Sequence, residues 1–213
     1  MNAQAPLDAA GRATDPGFPG LRPFDGDEAP APARRKAELI AGSGPAGWRE
    51  IIDSFSADPG GGGPLLRTLA WGLTTERLLR WMCLAARLEE IVSERKRQSQ
   101  ALITAERWLR EQDDALRYEA YRQGQAENFA TPAAMAALAT FVSGPSLAPA
   151  DAPAEPPAPG LGRASATSVL MAAAGSDALT VDGFGRVNKI GLDLARGGDG
   201  RSGARDALTG AVG

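Results

Sequence analysis

The stretch TTERLLRWMCLAARLEEIVSERKRQ, residues 74–98, decides the fold of this chain. A hydroxyl at Thr74 or Thr75 can accept a hydrogen bond from a free backbone N–H, which predicts the start of a helix there. Apolar side chains then recur every three or four residues, the spacing that places them on one helix face. These residues are Leu78, Trp81, Met82, Ala85, Leu88 and Val92. Because a continuous apolar face must be buried, the stretch predicts a long helix that runs toward Gln98 and packs against other elements.

Further segments show the same helical spacing, and two of them open with helix-start signals. Asp113 and Asp114 can supply a carboxylate cap, and Thr131 followed by Pro132 combines a cap with a proline suited to the first turn. The segments that we expect to be helical are 33–41, 48–55, 102–109, 114–121, 131–142, 164–174 and 181–195. We expect about five helices in one domain, with one or two more near the C-terminus. The sequence therefore predicts an all-α protein, built as an irregular small helical bundle.

Glycine and proline divide the chain into parts. The 26 glycines and 16 prolines crowd into the two ends, the region before residue 65 and the region between residues 144 and 162. We expect a disordered N-terminal segment at 1–32, a helical domain at 33–144, a proline-rich connector at 145–162, C-terminal helices that pack on this domain at 163–196, and a disordered tail at 197–213. The connector should be an extended strap packed across the bundle. Phe18, Leu21 and Phe24 could dock on a partner or on the protein's own surface.

Composition restricts the chemistry that the chain can perform. There is no histidine, the usual proton shuttle and the commonest metal ligand, so ordinary serine or cysteine triads are excluded and we expect no metal and no cofactor. A net charge of −3 gives no general attraction to nucleic acid or to an anionic membrane. The single cysteine, Cys83, lies in an apolar run, which predicts a buried packing side chain. With no signal-peptide pattern and no apolar run near the ~20 residues that span a bilayer, we expect a cytoplasmic protein without membrane insertion.

Two glycine-rich motifs resemble nucleotide-binding loops only in part. The run Gly60 to Gly63 lacks the Gly-Lys-Ser/Thr of a phosphate-binding loop. It therefore predicts a flexible linker ahead of a helix that Pro64 can open. The motif GFGRVN at 183–188 has no preceding strand and carries Asn188 in place of the third glycine, which favours a loose turn or a frayed helix.

Charged residues leave two alternatives open. The acidic pairs at 89–90 and 113–114 could each combine an acid with a base, as in a small carboxylate-dependent enzyme, although a solvated helix face and a helix cap also explain them. The basic run Arg95-Lys96-Arg97 could meet phosphate, which would make the protein a nucleic-acid binder. The same run also suits the C-terminal end of a helix, where cations oppose the dipole.

Three tryptophans are candidates for contact with a partner. Aromatic residues at helical spacing usually pack in the core, but one that is exposed would be the first candidate for a binding anchor. We therefore consider Trp71, Trp81 and Trp108, together with the basic run at 95–97, as candidate partner-binding residues. No residue is assigned a catalytic role.

Several segments in the second half of the chain resemble a known family. They are AERWL at 105–109, YEAY at 118–121, TPAAMAALATFVSGPSLAP at 131–149 and GLDLARG at 191–197. This pattern resembles a family of uncharacterised bacterial proteins with a Thr-Pro-Ala-Ala-Trp-like helix, a Phe-x-Ser-Gly-x-Ser turn, a proline-rich connector and a closing Gly-Leu-Asp-Leu-Ala-Arg-Gly. The resemblance covers roughly residues 76–197. The chain departs from it at Met135, where an aromatic is usual, and at Gly183 and Gly185, which weaken the last helix.

Such families tend to be encoded near type VI secretion gene clusters, so the resemblance implies an accessory or adaptor role in secretion. It brings no catalytic residues with it. Because the chain also lacks a complete reactive constellation, we expect a non-enzymatic protein-interaction module whose partner is another protein. The alternatives are the carboxylate-dependent enzyme and the nucleic-acid binder described above.

Overall fold

The architecture is a bundle of α-helices, and the computed structural model describes residues 15–25, 28–40, 47–95, 97–149, 151–179 and 182–209. The helices are α1 (Ala31–Ile40), α2 (Trp48–Ser56), α3 (Gly62–Gly72), α4 (Thr75–Val92), α5 (Gln100–Glu111), α6 (Asp114–Ala126), α7 (Pro132–Phe141), α8 (Leu161–Ala174), α9 (Gly183–Ala195) and α10 (Arg201–Thr209). Within the described ranges the only β-pairing is an isolated antiparallel bridge between Leu21 and Leu73, and no helix is long and apolar enough to cross a membrane. The all-α prediction is confirmed.

Helix α4 lies at the centre of the bundle, as its apolar stripe predicts. It packs against α5, α7, α8, α9 and α10. On its buried face, Trp81 donates from Nε1 to the Val187 carbonyl of α9 at 2.9 Å. At its start, the Thr74 hydroxyl accepts from the Arg77 N–H at 3.4 Å, which confirms the predicted cap.

The C-terminal end of α4 differs from the prediction. The pattern predicts a helix that runs toward Gln98, whereas α4 ends at Val92. Glu94 then adopts the left-handed backbone conformation, with φ of 51°. No apolar residue between 93 and 98 extends the buried stripe. A helix that is stabilised mainly through one packed face ends where that face ends.

Helix α3 begins inside the glycine run that the sequence predicts to be a flexible linker. Pro64 predicts a helix start at its own position, but α3 already begins at Gly62. The run packs against α9, since a Cβ on Gly62 would come 2.8 Å from the Cβ of Phe184. Glycine therefore serves close approach here, and the linker prediction is wrong.

The described part of the N-terminal segment, residues 15–25, packs on the bundle where the composition predicts disorder. Phe18 and Leu21 are buried, and the Gly20 N–H donates to a carbonyl at the end of α9 at 2.8 Å. Neighbouring prolines reduce the conformational entropy that is lost when the segment becomes ordered. The sequence left open whether these side chains dock on a partner or on the protein's own surface. In the structure they pack on the protein's own surface. Residues 1–14 lie outside the described part of the chain.

The tail predicted to be disordered contains α10, which packs along α9 and against α4. The Ala207 carbonyl accepts a hydrogen bond from Arg186 Nε at 2.7 Å. A Cβ on Gly203 would come 2.4 Å from the Lys189 carbonyl oxygen, so the two helices approach closely through small residues. Contacts of this kind leave little apolar signal in the sequence, which is why the pattern misses this helix.

Candidate functional site

The three candidate tryptophans serve internal packing. Trp81 is fully buried and Trp108 is 8% exposed, so neither fits the role of an exposed partner anchor. Trp71 is half-buried. The Arg22 guanidinium lies 4.0 Å from its ring centroid, and the Phe24 ring meets it edge-on with centroids 5.9 Å apart. Trp81 and Trp108 therefore belong to the core of the bundle, whereas the half-buried Trp71 stays a candidate for contact with a partner.

Arg95 and Arg97 of the basic run lie in the loop between α4 and α5 and not on a helix end. Arg95 donates to the Glu89 carboxylate at 2.9 Å. Arg97 is exposed and lines a small cavity of about 260 Å³ that also contains two glutamates. Lys96 lies outside the described residues. The described cations of this loop therefore lie among carboxylates and do not form a purely basic surface.

The acidic pair on α4 is buried and ion-paired, which corrects the expectation of a solvated helix face. Glu89 and Glu90 are 3% and 4% exposed. Glu90 pairs with the Arg87 guanidinium, which also donates to both carboxylate oxygens of Glu106 at 3.2 and 2.9 Å. Burial by itself lowers the pKa of Arg87, but the hydrogen bonds and charge of Glu106, followed by those of Glu90, produce a net rise. The guanidinium therefore stays charged inside this cluster.

Two carboxylates meet at the first turn of α5. The Ser99 hydroxyl accepts from the Leu102 N–H at 3.2 Å and donates to Glu127 at 2.8 Å. The Ser99 N–H donates to Glu90 at 2.6 Å, and the Ala101 N–H donates to Glu127 at 3.4 Å. The N–H groups of Ser99, Ala101 and Leu102 thus have side-chain acceptors, which come from α4, from the residue that follows α6 and from Ser99 itself.

Cys83 and the second acidic pair have structural roles that the sequence predicts. Cys83 is buried, and this burial raises the pKa of its thiol, with a further rise from the negative charge of Glu106. The predicted packing position is confirmed. The Asp113 carboxylate accepts from the Ala115 N–H at 2.9 Å, which confirms the predicted cap of α6.

The connector between α7 and α8 forms a closed loop. A Cβ on Gly162 would come 2.4 Å from the Ser143 hydroxyl oxygen, so the two ends of the connector are in contact. Further along, the Leu147 N–H donates to the Glu155 carbonyl at 2.7 Å. The Glu155 N–H donates to the Ser146 hydroxyl at 3.0 Å. These contacts close a neck, and the remaining connector projects beyond it.

The Phe-x-Ser-Gly-x-Ser turn anchors this neck to α6. Arg117 is fully buried and donates to the Phe141 carbonyl at 2.7 Å. A Cβ on Gly144 would come 2.4 Å from Arg117 Nε, which explains the glycine in the turn. The Tyr118 hydroxyl donates to the Ala148 carbonyl. The loop is therefore fixed at its base by residues from a neighbouring helix.

Between residues 151 and 160 the connector is exposed, both within the neck and beyond it, which differs from the predicted strap across the bundle. Nine of the ten residues from 151 to 160 are exposed, and Pro157 is half-buried. The segment contains alanine, proline, glycine and two acidic residues, so it has no large apolar side chain that burial would stabilise. The connector is thus available to other molecules from residue 151 to residue 160.

A groove of about 970 Å³ lies where α3 and α9 begin, and it brings the two glycine-rich motifs together. Asn188 donates from Nδ2 to the Gly62 carbonyl at 2.9 Å. The motif at 183–188 forms the first turns of a regular helix, which Asp182 caps by accepting from the Gly185 N–H. Sequence reasoning considers each motif separately and does not place them in one site.

Comparison with known proteins shows a family without a known function. No curated protein and no solved structure matches the chain. A model of DUF6931, a family of unknown function, matches residues 63–195. The match runs from the start of α3 to the end of α9, so it includes the connector and most of the groove but not α1, α2 or α10. It agrees with the resemblance to uncharacterised proteins. Since it covers more than half of the 213 residues, the chain belongs to the DUF6931 family.

Proposed function

We propose that this protein is a non-enzymatic protein-interaction module and that its partner binds the exposed connector. The supporting observation is the length of the loop compared with the gap that it bridges. Ser143 and Gly162 are in contact, so a short turn would suffice to join α7 to α8. Residues 144–161 nevertheless intervene between them. Loops longer than about 12–15 residues are uncommon in compact domains and usually carry a function.

The chemistry of the connector selects a class of partner. Proline favours the extended polyproline II conformation, whose three residues per turn place Pro153 and Pro156 on one side. Both are exposed, whereas Pro157 is half-buried. Asp151 and Glu155 are the charged residues between 144 and 161, and both are acidic. The partner that fits is a protein with an aromatic-lined groove flanked by basic side chains.

Within this proposal, the partner is a component of a bacterial type VI secretion system, and the protein acts in the cytoplasm as its adaptor. The support for this identity is the resemblance to uncharacterised proteins that are encoded near such clusters. The connector chemistry supports the binding mode and is independent of that identity.

Affinity capture with the full chain from its native host tests the proposal. We expect one stoichiometric partner, recovered by the wild type and reduced at least tenfold by the double variant Pro153→Ala/Pro156→Ala, because both substitutions lie on the exposed side. A synthetic peptide of residues 149–160 should compete for the purified partner in a fluorescence anisotropy measurement. Pro157→Ala is the matched control, since it changes the same segment at the half-buried proline.

Each outcome of the capture bears on a separate statement. A chain that recovers no stoichiometric partner would contradict the interaction function. A partner that binds the double variant as tightly as the wild type would contradict the role of the connector. A partner from outside the secretion system would contradict the adaptor identity alone.

A further inference from the structure

The first turn of α3 presents backbone donors to the groove. Gly62 and Gly63 line it, and their N–H groups have no hydrogen-bond acceptor among the residues that the structure describes. The N-cap residue, Gly61, provides no side-chain hydrogen bond. A Cβ on Gly61 would fall 1.9 Å from the Phe55 carbonyl oxygen, so no side chain can cap the helix from this position. At the positive end of the helix dipole, these N–H groups favour an oxygen acceptor.

Asn188 adds an independent observation on the same groove. It lines the groove and is 3% exposed. Its bond to the Gly62 carbonyl fixes the amide orientation, because the reversed orientation would set two acceptor oxygens against each other. Within the described part of the chain, Asn188 Oδ1 then has no partner, and neither has the Ser176 hydroxyl in the same groove. Buried polar atoms are rarely left without a partner, so the oxygen of Asn188 calls for a donor.

The walls of the groove disfavour a strongly charged ligand. Phe184 and Leu192 provide apolar surface over the buried Phe55, and Asp58 and Asp182 contribute carboxylates. No arginine or lysine of the described residues lines the groove. A phosphate group would meet the N–H donors of α3 but would also face the carboxylate of Asp182, while the carboxylate of Asp58 is already paired with Lys36 Nζ at 3.4 Å.

We infer that this groove binds a small neutral molecule through an amide or lactam edge, in which a carbonyl oxygen stands beside an N–H. The carbonyl accepts from the N–H groups of Gly62 and Gly63, and the neighbouring N–H donates to Asn188 Oδ1. The half-buried ring of Phe184 suits a flat apolar body attached to this edge. Nucleobase-like lactams and aromatic carboxamides belong to this class. The site is separate from the connector and goes beyond the function proposed above.

Ligand-observed NMR on the full chain tests the inference, with uracil and nicotinamide as amide probes and inorganic phosphate as the charged comparison. We expect at least one amide probe to bind with a Kd below about 10 mM and phosphate not to bind in that range. Asn188→Leu keeps a similar side-chain volume but removes the acceptor, so binding should weaken at least tenfold. Ser176→Ala should weaken binding of the amide probe severalfold. Ser168→Ala, which removes an exposed α8 hydroxyl bonded to the Ala164 carbonyl, is the control and should bind as the wild type does.

Circular dichroism shows which variants fold before binding is compared. If Asn188→Leu does not fold, Ser176→Ala and Gly63→Ala carry the test, since a Cβ on Gly63 meets Phe184 at an ordinary 3.6 Å. Failure of both amide probes to bind would overturn the inference. Binding of phosphate alone would overturn it in favour of an anion site. Unchanged affinity in every folded groove variant would place the probe elsewhere on the protein and also overturn it.

Discussion

Helices α5 and α3 each begin with backbone N–H groups that no acceptor within the helix can reach, yet the two ends have different surroundings. At α5, the Ser99 hydroxyl accepts from the Leu102 N–H, and the carboxylates of Glu90 and Glu127 accept from the N–H groups of Ser99 and Ala101. At α3, the cap position is Gly61, where a side chain would clash with the Phe55 carbonyl, and the first turn lines a groove. One helix end is closed by the protein's own side chains, and the other is open to a ligand.

The difference shows that a buried polar group can obtain its hydrogen-bond partners from the protein's own side chains or from a bound ligand. A buried carboxylate is costly unless it is paired and hydrogen-bonded, and Glu90 has both kinds of partner in Arg87 and Ser99. Asn188 is equally buried but has a partner for its Nδ2 alone among the described residues. We therefore expect substitutions at the α5 end to change stability and substitutions at the α3 end to change mainly binding or local packing.

Among the variants that compare the two helix ends, Glu90→Ala should have the largest effect on stability. The substitution removes an acceptor from the Ser99 N–H and a counter-charge from Arg87, so we expect the free energy of unfolding to fall by about 2–4 kcal/mol. Urea denaturation followed by circular dichroism measures this change. Glu111→Ala is the control, because its exposed pair with Arg107 should contribute less than about 1 kcal/mol. Equal losses in the two variants would contradict a special role for the buried carboxylate.

The paired variants Gly62→Ala and Gly63→Ala sharpen the comparison at the open end. A Cβ on Gly62 would lie 2.8 Å from the Phe184 Cβ, whereas one on Gly63 would make ordinary contact at 3.6 Å. We expect Gly62→Ala to lower the free energy of unfolding by about 1–3 kcal/mol through overpacking. Gly63→Ala should be neutral or stabilise by up to about 1 kcal/mol, because alanine favours the helix. If thermal unfolding shows the same change for both, the close packing of α3 on α9 is not the reason for the glycine run.

The smallest effect should come from Ser99→Ala, which removes a single cap. Loss of the hydroxyl's bonds to the Leu102 N–H and to Glu127 should cost about 1 kcal/mol, since Glu90 and Glu127 still accept from neighbouring N–H groups. Chemical denaturation of Ser99→Ala and of the control Ser168→Ala compares the stability lost with a capping hydroxyl and with an exposed one. A loss as large as that of Glu90→Ala would mean that the hydroxyl organises the whole cluster.

Much of the candidate site could not be predicted because its parts lie far apart in the chain. Asn188 and Gly62 are separated by 126 positions, yet a side-chain hydrogen bond joins them across the groove. The connector is recognisable from its prolines, but its closed neck depends on contact between Ser143 and Gly162. The tryptophans and the basic run suggested a binding surface, and the burial of Trp81 and Trp108 and the pairing of Arg95 with Glu89 became visible only in three dimensions.

The amino-acid sequence by itself determined the helical class, the buried face of α4 and the starts of α4, α6 and α7. These features depend on residues within a few positions of each other, through helical spacing and through side chains that cap the first turn. Only the tertiary structure decided that residues 15–25 and α10 pack on the bundle, that the connector projects from a closed neck, and that two glycine runs form one groove. Those outcomes depend on close contacts between small or isolated residues of distant segments, which produce no local pattern.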